Sequence, residues 1–200
     1  MLNLKKFAVT GGLSSGKSTV CSFFESYGGH LVDADAIVHR LYSTSSICKQ
    51  KVVDLLGQAV LDNNQLDRQK IAKIVFSDPQ KLRALEDIVH PMLFAEIDSE
   101  LKQIEKDGTS LFAVVEIPLL FEVGKEEAYD YSVCVACDER VAKKRWMQSG
   151  HDESEYIKRM SRQLPVEEKA KRADFVITND GDKDDMKMQV ETIITKTAGR

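Results

Sequence analysis

The chain has 200 residues, of which 42% are hydrophobic and 30% are charged, and its formal net charge at pH 7 is -4. A chain of this length buries one sizeable core, and its basic residues are dispersed among carboxylates, which argues against a nucleic-acid partner. The longest apolar stretches are interrupted by Glu and Pro well short of the roughly 20 residues that a membrane span requires, so no membrane partner is expected.

The four cysteines are too few for a disulfide scaffold in a chain of this length. Cys134 and Cys137 fit C-x-x-C, but residues i and i+3 of a strand face opposite sides of a sheet, which favours buried packing thiols over a redox pair. The four histidines lack the spacing of a metal site. No charged-then-apolar leader precedes the first β-rich run, so we expect a cytoplasmic protein.

Five short β-rich runs alternate with segments of helical spacing. The runs are residues 4–11, 28–35, 110–118, 129–137 and 173–179. Strands that alternate with helices predict a parallel α/β sheet that is covered on both faces.

Two helical segments stand out from this alternation. From about Ile37 to Lys106, between the second and third strands, apolar residues recur at helical intervals. A mostly helical insertion at this place is suited to covering a substrate. A second helical segment, at about 138–172, is rich in Lys and Arg.

The stretch "TGGLSSGKST" begins at Thr10 and fits the pattern G-x-x-x-x-G-K-[ST]. It follows an apolar strand and precedes a helical pattern that starts near Lys17, which is the context that the motif requires. The glycines let successive N–H groups point inward, Lys17 reaches the β- and γ-phosphates, and Ser18 ligates Mg²⁺. The alternative, a Gly/Ser-rich turn that matches by accident, is disfavoured by this context. The predicted triphosphate site comprises Gly11, Gly12, Leu13, Ser14, Ser15, Gly16, Lys17, Ser18 and Thr19.

Two carboxylates, Asp33 and Asp35, follow the second strand. Ligands bind at the carboxyl edge of an open α/β sheet, and a carboxylate there can accept a hydroxyl proton or hold magnesium through water. Capping of the following helix is the alternative for each, and it carries more weight for Asp35 than for Asp33.

Five sequence blocks occur in an order that closely resembles dephospho-CoA kinases. The blocks are "TGGLSSGKST", "VDADAIVHRL", "LDRQKIAKIVFSDPQKLRALEDIVHP", "IPLLFE" and "RQLPVEEKAKRADFVITNDG". The resemblance spans nearly the whole chain. It implies ATP-dependent phosphorylation of the ribose 3′-hydroxyl of dephospho-CoA, which is the last step of coenzyme A synthesis, with ATP and Mg²⁺ as cofactors.

The resemblance also implies the fold and its organisation. The fold is a P-loop NTPase three-layer α/β/α parallel sheet with a helical substrate-binding insertion and a helical lid. We expect a single unit with a core at 1–36, 108–137 and 173–200, an acceptor-binding insertion at 37–107 and a lid at 138–172.

Residue roles follow from the resemblance position by position. Asp33 matches the catalytic carboxylate, and Lys17 acts with it on the transferred phosphate. The acceptor side is formed by Asp35, His39, Leu66, Asp67, Arg68, His90, Pro91, Leu119, Phe121 and Arg159. Two alternatives stay open: His90 before Pro91 also fits a hydrogen-bonded helix starter, and Phe121 also fits core packing.

The nucleotide side departs from the family at several positions. Glu116 stands where many relatives carry Asp, and a water-mediated magnesium contact tolerates that change better than direct ligation. Lys144 and Gln148 stand where arginines are often found, which leaves Arg140 or Arg145 to supply lid charge, because Lys cannot reproduce a bidentate arginine fork. The predicted ATP contacts outside the phosphate loop are Arg140, Lys144 and Asn179. A solvated helix face is the alternative for the basic segment.

Two other functions remain open from the sequence. One is a kinase of the same fold that acts on another nucleoside or nucleotide, and the other is a nucleotide-dependent binding module that transfers no phosphate. The paired carboxylates and the helical insertion argue against the second. We expect a small-molecule partner, dephospho-CoA, and a monomer, with an oligomer as the alternative.

Overall fold

The structure is a computed structural model that describes residues 4–198. The outermost ends of the predicted core, residues 1–3 and 199–200, lie outside the described residues. The chain forms two compact units: Met1–Val32 together with Ile104–Arg200, and Asp33–Gln103.

The strands and helices alternate along most of the chain. In chain order, the strands are β1 (Lys5–Gly11), β2 (Gly29–Asp33), β3 (Leu61–Asp62), β4 (Gln65–Leu66), β5 (Phe112–Glu116), β6 (Tyr131–Ala136) and β7 (Phe175–Thr178). The α-helices are α1 (Lys17–Ser26), α2 (Ala34–Thr44), α3 (Ser46–Leu56), α4 (Arg68–Val75), α5 (Pro79–Asp107), α6 (Glu139–Gln148), α7 (Glu153–Met160), α8 (Val166–Arg172) and α9 (Lys183–Ala198).

The main sheet has five strands in the spatial order β2-β5-β1-β6-β7. β1 pairs in parallel with β5 on one side and with β6 on the other, and β6 pairs in parallel with β7. Each of these strands lies within one of the predicted β-rich runs, so the predicted parallel α/β fold is confirmed.

Alternation along β1 and β6 divides the core between the two faces of the sheet. Phe7 and Val9 lie in a buried cluster with residues of α1 and α9, and the Phe7 ring centroid is 5.3 Å from that of Phe24 in α1. Successive strand residues point to opposite faces, so Ala8 and Thr10 face the other side. α8 packs against β1 and β6, and because α1 and α9 occupy the first face, we place α8 on the second.

The second unit is helical apart from a short hairpin. β3 and β4 pair antiparallel around Asn63 and Asn64, whose φ angles are 44° and 62°. Positive φ at both central residues is typical of a type I′ hairpin turn, and asparagine tolerates it. The predicted mostly helical insertion did not include this hairpin, because strands of two residues are too short to show a periodic pattern.

The long helix α5 buries one face. Leu85, Val89, Leu93 and Ile97 recur at intervals of four residues and are all buried. Pro91 lies inside this helix and is exposed. Among residues 4–198, no helix is both long enough and apolar enough to cross a bilayer.

Candidate active site

The phosphate loop joins the end of β1 to the start of α1. Gly11 and Gly16 have φ angles of 143° and 98°, which L side chains rarely adopt. A Cβ atom on Gly11 would overlap the carbonyl oxygen of Val135, and one on Gly16 would overlap the side-chain amide of Asn179. The two glycines of the motif are therefore required by both conformation and close packing.

Lys17 places its ammonium group inside this loop. Its Nζ donates to the carbonyl oxygen of Gly12 at 2.9 Å and to that of Gly11 at 3.4 Å, and the residue is buried. α1 begins at Lys17, and its N-cap is Gly16, which has no side chain to cap the first N–H groups. An ammonium and a helix N-terminus at one loop favour an anionic group.

Ser18 and Glu116 bring two oxygen donors together beside the loop. The Ser18 hydroxyl in the first turn of α1 donates to Glu116 Oε1 at 3.1 Å. Glu116 ends β5, which pairs directly with β1. Mg²⁺ takes oxygen ligands and usually keeps several waters besides one or two carboxylates, so the donor set fits this ion. No group of three or more His, Cys, Asp and Glu residues suited to a metal occurs among residues 4–198.

Asn179, predicted to contact adenine, uses its side chain within the protein. It follows β7, is buried, and donates from Nδ2 to the carbonyl oxygen of Ser15 at 2.6 Å. Its Oδ1 accepts from Arg145 Nη2 at 3.2 Å. Its backbone N–H donates to the carbonyl oxygen of Ala136 at 2.8 Å. The side chain therefore connects the phosphate loop to α6, while the backbone N–H connects this residue to β6. The adenine contact stays a prediction.

The two alternatives for the lid cation have different surroundings. The Arg145 guanidinium turns inward to Asn179 and to Cys137 Sγ. The Arg140 side chain is 92% exposed and pairs with Asp138, the N-cap of α6, whose pKa it lowers through a hydrogen bond. Lys144, one turn further, is exposed. Arg140 and Lys144 both line a shallow groove of about 440 Å³.

A second cavity lies between the phosphate loop and α7. It has a volume of about 460 Å³ and is lined by Gly12 and Leu13 of the loop and by Tyr156 and Met160 of α7, among others. Arg159, also on α7, donates to Glu155 Oε1 at 2.6 Å, and its guanidinium lies 5.2 Å from the centroid of the Trp146 ring. The helix α7, which lines this cavity, is thus held in place by packing of Arg159 on Trp146 of α6.

Asp33 and Asp35 have different roles at the start of α2. Asp33 is the N-cap, because its Oδ1 accepts from the backbone N–H of Ala36 at 3.1 Å. The sequence favoured Asp35 over Asp33 as the residue that caps the following helix. In the structure, the capping residue is Asp33. Asp35 lies in the first turn and is exposed, as is His39 one turn later on the same face.

Three further residues predicted on the acceptor side, Arg68, His90 and Pro91, lie on α4 and α5, and Leu66 lies on β4. Arg68 begins α4, whose N-cap Asp67 accepts from the backbone N–H groups of Gln69 and Lys70. His90 lies in the middle of α5, so the alternative that it starts a helix is wrong. Burial lowers the pKa of His90, which favours a neutral imidazole.

Leu119 and Phe121 follow β5. Leu119 is half-buried, whereas Phe121 is buried and is covered by the Arg172 guanidinium, 4.7 Å from its ring centroid. The surroundings of Phe121 match the core-packing alternative.

All four cysteines are buried thiols. Burial raises the pKa of Cys134 to about 11, which keeps this thiol protonated at neutral pH and removes the thiolate that redox exchange requires. The burial expected of packing thiols is confirmed for both cysteines of C-x-x-C.

Comparison with known proteins decides the family. The family model described as dephospho-CoA kinase matches residues 6–185. A protein named dephospho-CoA kinase from Protochlamydia amoebophila is 42% identical over 183 residues, which cover 90% of each chain.

The chain belongs to the dephospho-CoA kinase family.

Solved structures extend the similarity to the fold. A dephospho-CoA kinase from Campylobacter jejuni is 27% identical, covers 97% of each chain and has a TM-score of 0.70. A structure from Thermus thermophilus is 33% identical, covers 98% of each chain and has a TM-score of 0.84. The predicted membership in the dephospho-CoA kinase family and the predicted kinase class are confirmed.

Sequence reasoning missed two features of the site. Arg145 was weighed only as a lid cation, although it bonds Asn179. Lys169 was one of many basic residues in 138–172, yet its side chain is fully buried. Neither has a local signal, because both partners are distant in sequence.

Proposed function

We propose that this chain transfers the γ-phosphate of ATP to the ribose 3′-hydroxyl of dephospho-CoA, giving coenzyme A and ADP. Membership in the dephospho-CoA kinase family supports the substrate pair. The observation that carries the proposal is the Lys17 ammonium inside the phosphate loop, beside the Ser18–Glu116 pair. A cation, a helix N-terminus and two oxygen donors at one loop suit a triphosphate with its metal.

The proposed nucleotide site consists of the loop and the exposed cations of α6. Backbone N–H groups of Gly11 to Thr19 and the Lys17 ammonium hold the β- and γ-phosphates. Arg140 and Lys144, exposed at one groove, supply further positive charge. These groups stabilise the charge on the transferred phosphoryl group, which is the main contribution of protein to such reactions.

Ser18 and Glu116 are the residues that we propose to hold Mg²⁺, Ser18 directly and Glu116 through water. When bound, the ion neutralises phosphate charge. The longer side chain of Glu116 is compatible with this arrangement, since its Oε1 already lies within hydrogen-bond distance of Ser18.

Asp33 is the proposed general base for the 3′-hydroxyl. As an N-cap its carboxylate is held at a defined position by the N–H of Ala36, which limits the rotamers it samples. It is half-buried, which leaves it partly accessible to a substrate hydroxyl. We propose Asp35, His39, Arg68, His90, Pro91, Leu119 and Arg159 as acceptor contacts, whereas the buried Phe121 packs in the core.

The domain roles and the setting of the protein are also proposals. The compact unit Asp33–Gln103 corresponds to the acceptor-binding insertion expected at 37–107, and the helices α6 to α8 to the lid expected at 138–172. We propose a monomer that acts in the cytoplasm, whose reducing conditions suit four buried thiols.

An ADP-release assay tests this proposal. We expect ADP release from ATP and Mg²⁺ to rise strongly on addition of dephospho-CoA, and Lys17→Ala to lose most of that rate while remaining folded. A panel of nucleosides and nucleotides at constant ATP is the control. Stronger stimulation by another acceptor in that panel would favour the alternative kinase, and ADP release without any acceptor dependence would favour the binding module.

A further inference from the structure

A fully buried lysine lies behind the phosphate loop. Lys169, on α8, has a side-chain exposure of 0%. Its Nζ lies 2.8 Å from the carbonyl oxygen of Pro118, 3.2 Å from Gln163 Oε1 and 2.9 Å from Glu122 Oε1. An ammonium group has three donors, so the acceptors match its capacity.

Glu122 is the charged partner of this lysine. Its Oε1 also accepts from the backbone N–H of Leu164 at 2.8 Å, whereas its Oε2 is buried with no hydrogen-bond partner. A buried ion pair contributes little net stability compared with a well-packed apolar pair. The arrangement is therefore better explained by the geometry that it imposes than by the stability that it adds.

The pair joins the segment after β5 to the α7–α8 connection. Glu122 and Pro118 belong to the first, and Gln163 and Leu164 to the second. The Pro118 carbonyl oxygen also accepts from Thr10 Oγ1 at 3.1 Å, and Thr10 directly precedes the phosphate loop. One ammonium group thus connects the base of the loop to the α7–α8 connection.

Gln163 connects this pair to the cavity. It lines the cavity of about 460 Å³ together with Gly12, Leu13 and Ser15 of the phosphate loop. Lys169 Nζ donates to its side-chain oxygen at 3.2 Å. A shift of Lys169 would move Gln163 and the end of α7, which carries Arg159, relative to the loop.

We propose that Lys169 and Glu122 are positioning residues for phosphoryl transfer. They hold the α7–α8 connection at a set distance from the phosphate loop. At this distance, the lid side chains can contact the transferred phosphate. The proposal rests on the proposed kinase function. It assigns neither residue a contact with substrate.

The test separates positioning from stability. Lys169→Met keeps most of the side-chain length, being one heavy atom shorter, but removes its charge, and Glu122→Gln with Lys169→Met removes the buried pair altogether. Lys171→Met is the matched control, because Lys171 lies on the same helix in an exposed pair with Glu168. Each protein is assayed for urea unfolding, ATP affinity, and kcat with dephospho-CoA.

We expect Lys169→Met to lower kcat about 10- to 100-fold, as misplacement by about 1 Å does, with a change in ATP affinity of less than about 3-fold. The double variant should recover stability, because no unpaired buried charge remains, but not kcat. Lys171→Met should match the wild type. Recovery of kcat together with stability in the double variant would overturn the proposal, as would unchanged kcat in a folded Lys169→Met protein.

A second readout does not depend on turnover. Trp146 is the sole tryptophan of the chain, and its ring lies 6.4 Å from that of Tyr156 on α7. We expect its emission to shift in Lys169→Met and in the double variant but not in Lys171→Met. If dephospho-CoA is not phosphorylated by the wild type, the proposed function fails, and the Trp146 emission still tests the positioning of α7: an unshifted emission would overturn it.

Discussion

The side-chain amide of Asn179 donates a 2.6 Å hydrogen bond to the carbonyl oxygen of Ser15, 164 residues earlier in the chain. The bond is buried and connects the end of β7 to the middle of the phosphate loop. Arg145 donates a further hydrogen bond to the Oδ1 atom of the same Asn179 amide. The shape of the loop therefore depends on a residue outside the glycine motif.

Replacing Asn179 by Ala should loosen the phosphate loop. The carbonyl oxygen of Ser15 and the guanidinium of Arg145 would lose a buried partner, which costs about 1–3 kcal/mol in the free energy of unfolding. We expect the KM for ATP to rise as well. The control is Gln189→Ala, which removes exposed bonds to Thr178, the last residue of β7 and the neighbour of Asn179. An equal KM effect in both variants would contradict a specific role for Asn179.

Ser14 has a φ angle of 54°, an uncommon conformation for a residue other than glycine. Ser14→Gly relieves a strain of about 1–2 kcal/mol and adds an entropy cost of about 0.5–1 kcal/mol, so the free energy of unfolding should stay equal or rise slightly. Ser22→Gly, at an exposed site within α1, should lower it by about 0.5–1 kcal/mol. Urea denaturation measures both. Equal destabilisation in the two variants would show that Ser14 is not strained.

Asp33→Asn separates the charge of Asp33 from its capping role. Asn is as good an N-cap as Asp, so α2 should keep its start, whereas the loss of a general base should lower kcat by about 10²–10⁴. ATP affinity should change little, because the proposed ATP contacts are other residues.

The control for this substitution is Asp78→Asn. Asp78 also accepts from backbone N–H groups at a helix start, in its case those of Gln80 and Lys81, and has no proposed part in catalysis. We expect its kcat to equal that of the wild type. A near-normal kcat for Asp33→Asn would leave Asp35 as the next candidate for the base.

Arg140 and Arg145 should differ in what their loss affects. Arg140→Met removes an exposed cation, so we expect a lower kcat/KM for ATP with an unchanged free energy of unfolding. Arg145→Met removes the partner of Asn179 and Cys137, so both quantities should fall. If Arg140→Met keeps full kcat/KM at limiting ATP, this part of α6 is a solvated face.

His90 should make stability depend on pH below neutrality. Burial lowers its pKa in the folded state from the ordinary value of 6.5. As the pH falls through 6.5, the unfolded chain takes up a proton that the folded chain does not, so the free energy of unfolding decreases. We expect this decrease to be smaller in His90→Gln. Urea denaturation at pH 8, 6.5 and 5.5 measures it, and parallel pH profiles for the two proteins would contradict the lowered pKa.

The sequence by itself determined the fold class, the phosphate loop and the family. Each has a local cause that can be seen in residue order. β-rich runs between helical segments lead to a parallel sheet, and the loop requires glycine at Gly11 and Gly16, whose φ angles L side chains rarely adopt. Lys17 and Ser18 follow from the same motif, since the turn and the helix start set their directions.

Only the tertiary structure decided which buried contacts hold the phosphate loop and the α7–α8 connection in place. The Asn179–Ser15 bond, the inward turn of Arg145 and the buried Lys169–Glu122 pair join residues that are 34 to 164 positions apart. A basic residue in a helix looks alike in sequence whether it faces solvent, as Arg140 does, or is fully buried, as Lys169 is. The difference arises because folding brings acceptors that are distant in sequence within hydrogen-bond distance of one lysine and not of the other basic residue. The order of the residues alone does not show which groups will meet.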